Sequence, residues 1–503
     1  MGRDATLERE IKLEAPLALA LPDLRPLVAG TVRLPEEHLV TRYFDTNDRR
    51  LWRQGMTLRH RRAAEGEDGI WTLKLPHASA GQALERTEVS WPGPSHEFPS
   101  DASGLLRGIV RREPLGQLTV LATTRHRLVL RDDKDHELAE LDDDIVEVAG
   151  GPRDGTRFRQ VELEFRDNTW EPAGVVGRLE KAGARVDKET KLAKAFDLPR
   201  PSAPHLVEKT SAVDDVVRSS LRAGLDRLLA HDWQLRLALP DPTVDDVHQA
   251  RVATRRLRSD LKTFGVVLDP LWREHVRSEL KWLGAVLGEL RDRDVLSQGL
   301  SDAPIPVHQR LAVQRRDAGR RLADALSGER YVSLVDHLHA GSERLPLAAA
   351  AMDEAQRPAA EVLPSLVGAR WRALRRQVRR AGHHPSPTEL HQIRIKSKQL
   401  RYAAEAAIPV IGKPAQRTAF AAEDVQTVLG ERQDAVAAEA WLRKEWVDEA
   451  LSGSLAVASP SVCFEVGRLV AEARHRQEAA GEQWTDAWAK LRKPKHLHWL
   501  SGG

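Results

Sequence analysis

The chain has 503 residues, 41% of them hydrophobic and 30% charged, and its 77 basic and 74 acidic side chains leave a net charge of only +3. This length predicts two or three domains. The high charge content, and the lack of any apolar run of roughly 18 residues, argue against a membrane protein. Cys463 is the only cysteine, which excludes a disulfide within the chain and cysteine-rich zinc sites.

Residues 1–200 have the pattern of a β-rich domain. Short charged strands are separated by turn-forming segments such as Pro92-Gly93-Pro94-Ser95 and Gly150-Gly151-Pro152. The segment 201–207 contains several prolines and predicts a linker. Residues 208–495 then change to long helical segments rich in Ala, Leu, Arg and Glu. We therefore expect a multidomain α+β protein, with a β domain followed by an all-α domain.

The opening strand carries its charges on one face. Because side chains alternate along a strand, Glu8, Glu10 and Lys12 point to one side and apolar residues to the other. Two carboxylates beside an ammonium group suit a metal ion that holds a phosphate. An edge strand with a solvated charged face is the plainer alternative. The opening strand alone does not decide between them.

Six later segments repeat this spacing of polar or charged residues two positions apart. They are Arg59 and Arg61, Thr72 and Lys74, Arg86 and Glu88, Arg125 and Arg127, Glu140 and Asp142, and Glu162 and Glu164. If the sheet closes into a barrel, all these faces can point inward and line one charged tunnel. Acids and bases in mixture offset the cost of burying charge, and a bound metal–phosphate ligand would complete the neutralisation.

Side-chain chemistry divides the tunnel residues into two groups. Mg²⁺ and Mn²⁺ prefer oxygen ligands, and the candidate metal ligands are Glu8, Glu10, Asp142, Glu162 and Glu164. Phosphate oxygens prefer arginine and lysine, and the candidates are Lys12, Arg59, Arg61, Lys74, Arg86, Arg125 and Arg127. A carboxylate would hold the attacking water, so the candidate catalytic residues are Glu8, Glu10 and Lys12. Asp143 or Asp144 could take the place of Asp142, and Arg86 with Glu88 could form an internal salt bridge instead.

In this order the motifs resemble the CYTH superfamily, the triphosphate tunnel metalloenzymes. The matching segments, spread over nearly all of residues 1–200, are Glu8-x-Glu10-x-Lys12, Tyr43-Phe44-Asp45-Thr46, Leu58-Arg59-x-Arg61, Thr72-Leu73-Lys74, Arg86-x-Glu88, the Asp142 region, Glu162-x-Glu164 and Lys191. The resemblance implies an eight-stranded antiparallel tunnel, a divalent metal and a substrate that bears a triphosphate. Thr190-Lys191 stands where the family often has Ser-Lys, and the resemblance implies Lys191 as a further phosphate ligand. Tyr43 and Asp45 are interpreted as structural.

Apolar residues with a period of 3.6 predict helices throughout the second half of the chain. The predicted ranges are 213–231, 244–265, 271–290, 306–327, 364–381, 388–408, 418–429, 434–451 and 460–490. Two segments repeat: His248–Arg258 matches His391–Arg401 at an offset of 143, and Leu287–Asp292 matches Leu429–Asp434 at an offset of 142. Nearly equal offsets indicate a duplication, with halves at about 208–350 and 360–495.

Each half presents a basic stripe that begins with a histidine and falls within an arc of about 80° on its helix. The stripes are His248, Arg251, Arg255 and Arg258, and His391, Arg394, Lys398 and Arg401; Arg372 and Arg376 belong to a further basic face. Aromatic residues do not alternate with the stripes, which disfavours single-stranded nucleic acid and favours a repeating anion without bases. A solvated charged face is one alternative, and a metal site at the two histidines is another.

This half resembles the CHAD domain, the conserved histidine α-helical domain, over roughly residues 208–490. The two histidine-headed helices and the two Leu-Gly-Glu segments carry the resemblance. It implies binding of inorganic polyphosphate, and a CYTH domain followed by a CHAD domain is an arrangement found in bacteria. Asp294 has Val436 opposite it in the second half, so any acidic role there is asymmetric.

We therefore expect an enzyme that hydrolyses inorganic triphosphate to pyrophosphate and phosphate with Mg²⁺ or Mn²⁺, joined to a polyphosphate-binding domain. A non-catalytic polyphosphate-binding scaffold is one alternative. Another is a hydrolase or cyclase that acts on thiamine triphosphate or ATP, although Trp71, a candidate for stacking, is expected to face away from the tunnel. The single cysteine and the charged N-terminus favour the cytoplasm, and association with polyphosphate granules is open. Neither a membrane nor nucleic acid is an expected partner.

Overall fold

The computed structural model describes residues 5–65, 68–76, 83–167, 169–196, 207–448 and 459–501. The chain divides into two compact units, Met1–Ser202 and Ala203–Gly503. The predicted linker at 201–207 lies, apart from Val207, outside the described residues.

The first unit is an antiparallel barrel. Its strands are β1 (Ala5–Ala15), β2 (Gly30–Arg33), β3 (Glu37–Asp45), β4 (Thr57–Ala63), β5 (Asp68–Pro76), β6 (Leu84–Pro94), β7 (Gly116–Arg131), β8 (Glu137–Val148), β9 (Arg157–Phe165) and β10 (Arg185–Val186). Strands β1, β6, β5, β4, β3, β7, β8 and β9 pair in that order, and β9 pairs back with β1. Eight strands therefore close the barrel, and the predicted eight-stranded antiparallel tunnel is confirmed.

Strand alternation gives the barrel a charged inner face and an apolar outer face. On adjacent strands, Lys12 pairs in register with Glu162, and Glu162 pairs with Asp142. The next residues along, Leu13 and Val161, point outward. There they join a hydrophobic core that includes residues of a helix packed against the barrel wall.

In the described part of this unit, the barrel is accompanied by the helices α1 (Arg50–Arg53), α2 (Ser100–Val110), α3 (Ala173–Lys181) and α4 (Lys191–Phe196). Helix α3 covers the outer core. Leu192 of α4 packs with inward-facing apolar residues, among them Leu121 and Val146. Helix α4 therefore closes one end of the tunnel and brings its first residue, Lys191, to the interior.

The second unit is all helical, as predicted. Its helices are α5 (Val213–Ala238), α6 (Val244–Thr263), α7 (Pro270–Gly299), α8 (Ile305–Ser327), α9 (Glu329–Glu343), α10 (Met352–Gln356), α11 (Ala359–Ala381), α12 (Pro387–Ile411), α13 (Lys413–Leu442), α14 (Pro460–Leu491) and α15 (Pro494–Leu497). Short 3₁₀ turns occur at Ala349–Ala351 and His498–Ser501, and a π-helical turn, Arg443–Asp448, follows α13. Within the described ranges, no helix is both long and apolar enough to cross a membrane.

Some predicted helix boundaries are wrong. The sequence predicts separate helices at 418–429 and 434–451, whereas α13 runs without a break from Lys413 to Leu442. Gly430 does not interrupt it, because a single glycine costs a helix only about 1 kcal/mol relative to alanine. The end of the predicted second segment, 449–451, lies outside the described residues. Helix α9, rich in polar residues, is absent from the predictions.

The duplicated halves begin their histidine-headed helices in the same way. The Thr243 side chain accepts a hydrogen bond from the backbone N–H of Asp246 at the start of α6. Ser386 does the same for the N–H of Glu389 at the start of α12. These N-caps lie 143 residues apart, so the two basic stripes start in equivalent positions.

Candidate functional site

Ion pairs join residues of several strands on the inner face of the barrel. Lys74 Nζ on β5 lies 2.5 Å from Glu8 Oε2 on β1, although β6 separates these strands. On β1, Lys12 Nζ lies 3.0 Å from Glu10 Oε1 and 2.6 Å from Glu162 Oε1 on β9. The structure thus brings the opening motif together with Lys74 and Glu162.

A second group of ion pairs lies towards the end that α4 closes. Arg125 Nη2 lies 2.7 Å from Asp144 Oδ2, and the same guanidinium contacts Asp142. Lys191 Nζ lies 2.8 Å from Asp144 Oδ2 and 2.5 Å from Glu162 Oε2. Lys191, Arg125 and Glu162 therefore meet inside the barrel, and Asp144, which is fully buried, joins them.

The three consecutive aspartates of β8 have different environments. Asp142 and Asp144 point inward, whereas Asp143 points outward, where Arg159 Nη2 lies 2.7 Å from its Oδ2. Strand alternation explains this difference. Asp144, considered in the sequence only as a substitute for Asp142, is therefore a second inward carboxylate, and Asp143 is not.

Charge pairing holds the inner groups ionised despite their burial. Burial alone would lower the pKa of Lys12 and raise that of Glu162. The carboxylates of Glu10 and Glu162 nevertheless raise the pKa of Lys12 above its usual range. The ammonium groups of Lys12 and Lys191 hold the pKa of Glu162 well below its usual range. Lys12 and Glu162 are therefore both held in their ionised forms.

Arg59 and Arg61 form a region with excess positive charge. Among the described residues, neither guanidinium has a carboxylate within ion-pair distance; Arg61 Nε donates to the Thr41 hydroxyl at 3.3 Å. Burial, together with the charges of Arg59 and Arg125, lowers the pKa of Arg61 to about 10. Although burial would raise it, the pKa of Tyr43 is lowered by the two arginines beside it. An anion placed here would relieve this repulsion.

Two predicted tunnel residues, Arg127 and Glu164, lie nearer the solvent, whereas Arg86 keeps to the inner face. The guanidinium of Arg127 contacts Glu37 and lies 3.5 Å from Glu140, with 24% of its side chain exposed. Glu164 is paired with the exposed Arg166 at 2.7 Å. Arg86 lies opposite Glu8 on the neighbouring strand. Arg127 and Glu164 are therefore more accessible to solvent than the inner ion pairs.

The carboxylates have the right chemistry for a hard divalent cation, but not the arrangement. Burial raises the pKa of Asp142 to about 7 against the pull of Arg125, and its Oδ1 is buried without a hydrogen-bond partner. No group of three or more His, Cys, Asp or Glu side chains that could hold a metal ion occurs in the described part of the chain. The predicted ligands share one tunnel without forming a metal site as they stand.

In the second unit the two basic stripes meet. Burial and the charges of Arg394 and Arg255 lower the pKa of Lys398 to about 6. Burial and the charges of Arg251 and Arg394 lower the pKa of Arg255, against the opposing effect of Tyr402. Cations shift one another in this way only when they are close. Helices α6 and α12 therefore build one shared group, which we call the paired-stripe cluster: Arg251, Arg255, Arg394 and Lys398.

The two Leu-Gly-Glu segments lie beside this cluster. Arg251 Nη1 lies 3.2 Å from Asp292 Oδ1 on α7, and burial raises the pKa of the equivalent Asp434 on α13 against the charges of Arg394 and Lys398. A Cβ at Gly288 would come within 2.7 Å of Arg251 Nη1. The repeated glycine thus leaves room for the guanidinium group of the stripe.

The histidines occupy less equivalent positions. His391 Nδ1 lies 2.8 Å from Gln433 Oε1. Burial and the charges of Arg291 and Arg255 lower the pKa of His248. His248 also lines a cavity of about 620 Å³ with Arg255, Tyr402 and Phe420 among its walls. No metal-binding group includes either histidine within the described ranges.

Four of the predicted polyphosphate ligands lie apart from the cluster. Arg401 is paired with Glu405 at 2.7 Å and Glu423 at 2.9 Å. The charge of Arg277, together with burial, lowers the pKa of Arg258 at the far end of its stripe. Arg372 and Arg376 are exposed on α11. The structure therefore concentrates the basic charge at the centre of the stripes rather than along their whole length.

Family models match both units. The model described as the CYTH domain matches residues 7–196, and the model described as the CHAD domain matches residues 219–443. The chain is a CYTH–CHAD protein. Its CYTH match covers the barrel, and its CHAD match runs from α5 to the end of α13.

Relatives of this CYTH–CHAD protein include an uncharacterised protein present in two strains of Mycobacterium tuberculosis, 30% identical over 511 residues and 93% of each chain. The CHAD domain from the plant Ricinus communis is 22% identical, with a TM-score of 0.44, and the match covers 57% of this chain and 94% of that one. A protein from Hippeastrum with a dominant triphosphatase activity is 18% identical, with a TM-score of 0.27, over 39% of this chain and all of that one.

Sequence reasoning on the CYTH–CHAD protein missed some neighbours of both sites. Tyr43, interpreted as structural, lies beside Arg59 and Arg61. Tyr43 is two residues from Thr41 on β3, so strand alternation places both side chains on the inner face, and this spacing was the available signal. The charge of Arg291, which belongs to the repeated Leu-Gly-Glu segment, helps to lower the pKa of His248. The repeat located this segment, but no spacing rule connected it with the stripe on the preceding helix.

Proposed function

We propose that the CYTH domain hydrolyses inorganic triphosphate to pyrophosphate and phosphate with Mg²⁺ or Mn²⁺. The observation that carries this proposal is a closed tunnel in which Arg59 and Arg61 have no described carboxylate within ion-pair distance, while buried carboxylates line the same interior. A short phosphate chain is a linear anion that presents oxygen atoms along its whole length, so it suits a tunnel lined with lysine and arginine. The triphosphatase activity of the Hippeastrum relative agrees with this substrate class.

The chain's own residues have separable roles in this proposal. Arg59 and Arg61 would bind the end of the phosphate chain, and the ammonium groups of Lys12 and Lys74 would orient its remaining oxygens. Glu8, Glu10 and Glu162 would hold the metal, which supplies charge neutralisation and a polarised water when bound. Helix α4 closes one end of the tunnel and thereby limits how far the substrate enters.

The test measures phosphate released by the purified full-length protein from inorganic triphosphate, ATP, thiamine triphosphate and long polyphosphate with either metal. We expect inorganic triphosphate to be the best substrate and Glu10→Gln to reduce the rate at least about 100-fold, the usual scale for losing one electrostatic catalytic group. Glu147→Gln, on an exposed outer face of the same barrel, is the matched control and should retain full activity. No release by the wild-type protein, or undiminished release by Glu10→Gln, would contradict the proposal.

We further propose that the CHAD domain binds inorganic polyphosphate at the paired-stripe cluster, and that the protein works in the cytoplasm, with or without association with polyphosphate granules. The pKa of Lys398, which is lowered first by burial and then by the charges of Arg394 and Arg255, supports this proposal, because the neighbouring cations outweigh the opposing charge of Asp434. A polyanion would supply the missing charge, and its binding should weaken as salt concentration rises.

A further inference from the structure

Each predicted metal ligand of the tunnel already faces a cation of the protein. The ammonium group of Lys74 forms an ion pair with Glu8, and that of Lys12 forms ion pairs with Glu10 and Glu162. Further contacts are those of Lys191 and Arg125 with Glu162, of Arg125 with Asp142, and of Arg166 with Glu164. The carboxylates are therefore engaged in the same interior where a metal would have to bind.

A lysine ammonium group and a divalent cation exclude each other at such distances. Lys74 Nζ lies 2.5 Å from Glu8 Oε2, so it blocks the approach of a metal ion that would coordinate the same oxygen at roughly 2.1 Å. Two positive charges within a few ångströms repel strongly in a partly buried site. A metal ion that entered the tunnel alone would have to break these ion pairs and leave the ammonium groups buried without partners.

A phosphate chain changes this balance. Its oxygens can accept hydrogen bonds from Lys12 and Lys74, and also from Arg59 and Arg61, neither of which has a carboxylate within ion-pair distance among the described residues. The carboxylates released in this way become available to a metal, and the anion adds negative charge beside them. Asp142 Oδ1, which is buried without a hydrogen-bond partner, is an oxygen of this interior that a metal ion could coordinate.

We propose that the metal site of the tunnel is latent and is assembled only when a phosphate chain takes the ammonium groups of Lys12 and Lys74. This inference rests on the proposed substrate class. Anion and metal then bind with positive coupling, and the coupling is reciprocal, so each must increase the affinity for the other by the same factor. The tunnel would thus discriminate against free metal ions without needing a moving lid.

Binding of Mn²⁺ to the full-length protein tests the proposal without any turnover. Free Mn²⁺ is followed by electron paramagnetic resonance, with and without an imido-bridged, non-hydrolysable triphosphate analogue. The same titration without protein corrects for Mn²⁺ bound by the analogue itself. We expect the analogue to tighten Mn²⁺ binding by at least about tenfold, within the usual range of coupling between two ligands. Equal affinity with and without the analogue would overturn the proposal.

The variant Lys74→Met gives the sharper result. Removing this ammonium group frees Glu8, so Mn²⁺ should bind the variant several-fold more tightly than the wild-type protein when no analogue is present, although the variant has lost a phosphate ligand. Lys134→Met removes an exposed lysine in the turn between β7 and β8 and should leave Mn²⁺ affinity unchanged.

Lys12→Met frees Glu10 and Glu162 and should act in the same direction, which provides a second variant if Lys74→Met does not fold by circular dichroism. If a folded variant binds Mn²⁺ no more tightly than the wild-type protein, the latent site is refuted. Failure of the proposed function would be seen separately, as a lack of phosphate release. Coupled Mn²⁺ binding without hydrolysis would support the latent site while refuting the triphosphatase, and hydrolysis with uncoupled Mn²⁺ binding would do the reverse.

Discussion

At the proposed polyphosphate site, the surroundings of a single residue shift its pKa away from the usual range. Lys398 lies largely buried among Arg394, Arg255 and Arg251, so its ammonium form is disfavoured and its pKa falls to about 6. A lysine that packs only against apolar residues could relax by staying neutral. This one shares a cluster with guanidinium groups that stay charged, which keeps the local potential positive.

Polyphosphate binding by the CHAD domain should therefore be linked to proton uptake at Lys398. Near pH 8 the free protein holds this lysine neutral, and a bound polyanion raises its pKa, so affinity should rise as pH falls from 8 towards 6. The pKa of His248 is also lowered. Protonation of this histidine on binding would therefore add to the rise in affinity at the acidic end of the range. Isothermal titration calorimetry in two buffers of different ionisation enthalpy measures both the affinity and the protons taken up.

The variant Lys398→Arg is the control for this prediction, because its guanidinium stays charged across the range. It should bind polyphosphate at pH 8 at least as tightly as the wild-type protein and show less proton uptake. Lys398→Met should bind more weakly at pH 6 and also lose the uptake. A pH dependence that is the same in all three proteins would contradict the role of Lys398.

At this scale the sequence predicts which side chains enter the tunnel but not how they pair. The two-residue spacing places Lys74 and Glu88 on inward faces. The contact of Lys74 with Glu8 follows only from the strand order of the sheet, in which β6 lies between β5 and β1 and brings side chains distant in the sequence within 2.5 Å. The metal ligands were predicted from oxygen chemistry alone, and the pairing of those oxygens with lysines is a property of the closed tunnel.

Among the secondary-structure elements, the duplicated helices α6 and α12 were predicted because a strong 3.6-residue period and a second copy support each other. Helix α13 was predicted as two pieces with a gap at 430–433, although tertiary packing readily carries a helix through one glycine such as Gly430. The position of that glycine has another explanation. In both halves it lies against an arginine of the preceding basic helix.

The two glycines make a matched pair of substitutions. A Cβ at Gly288 would meet Arg251 Nη1 at 2.7 Å, whereas at Gly430 the nearest atom, Arg394 Nε, is 3.8 Å away. Gly288→Ala should therefore push the Arg251 guanidinium away from Asp292 and weaken polyphosphate binding several-fold. Gly430→Ala should leave binding unchanged. Both should preserve or slightly raise Tm, since alanine is the better helix former and an arginine side chain moves aside at little cost.

Fluorescence anisotropy with labelled polyphosphate compares the two alanine variants directly. Thermal unfolding checks that each variant folds. Equal affinities for Gly288→Ala and Gly430→Ala would show that the position of Arg251 does not matter for binding. A large drop in Tm for Gly288→Ala would show instead that the glycine serves packing.

For the molecule as a whole, a net charge of +3 conceals two different arrangements of charge. The barrel neutralises most of its buried charges internally, whereas Arg59 and Arg61 have no carboxylate within ion-pair distance among the described residues. The helical unit instead gathers cations that repel one another. Each unit has its own core and its own internal contacts, so each can respond to its own ligand. The sequence predicts two units because residues 1–200 follow the two-residue period of strands, whereas residues 208–495 follow the 3.6-residue period of helices.

Differential scanning calorimetry of the full-length protein should therefore resolve two transitions, each stabilised by one ligand. A ligand at 100 times its Kd adds about 2.7 kcal/mol to the stability of the unit that binds it. The imido-bridged triphosphate analogue should shift one transition, and polyphosphate should shift the other.

In the double variant Arg251→Glu/Arg394→Glu the polyphosphate shift should disappear while the analogue shift persists, because only the paired-stripe cluster has been reversed in charge. Arg320→Glu, which alters an exposed arginine of α8, should retain both shifts. If the double variant keeps the polyphosphate shift, the cluster is not the polyanion site; if it loses both shifts, the two sites are not independent.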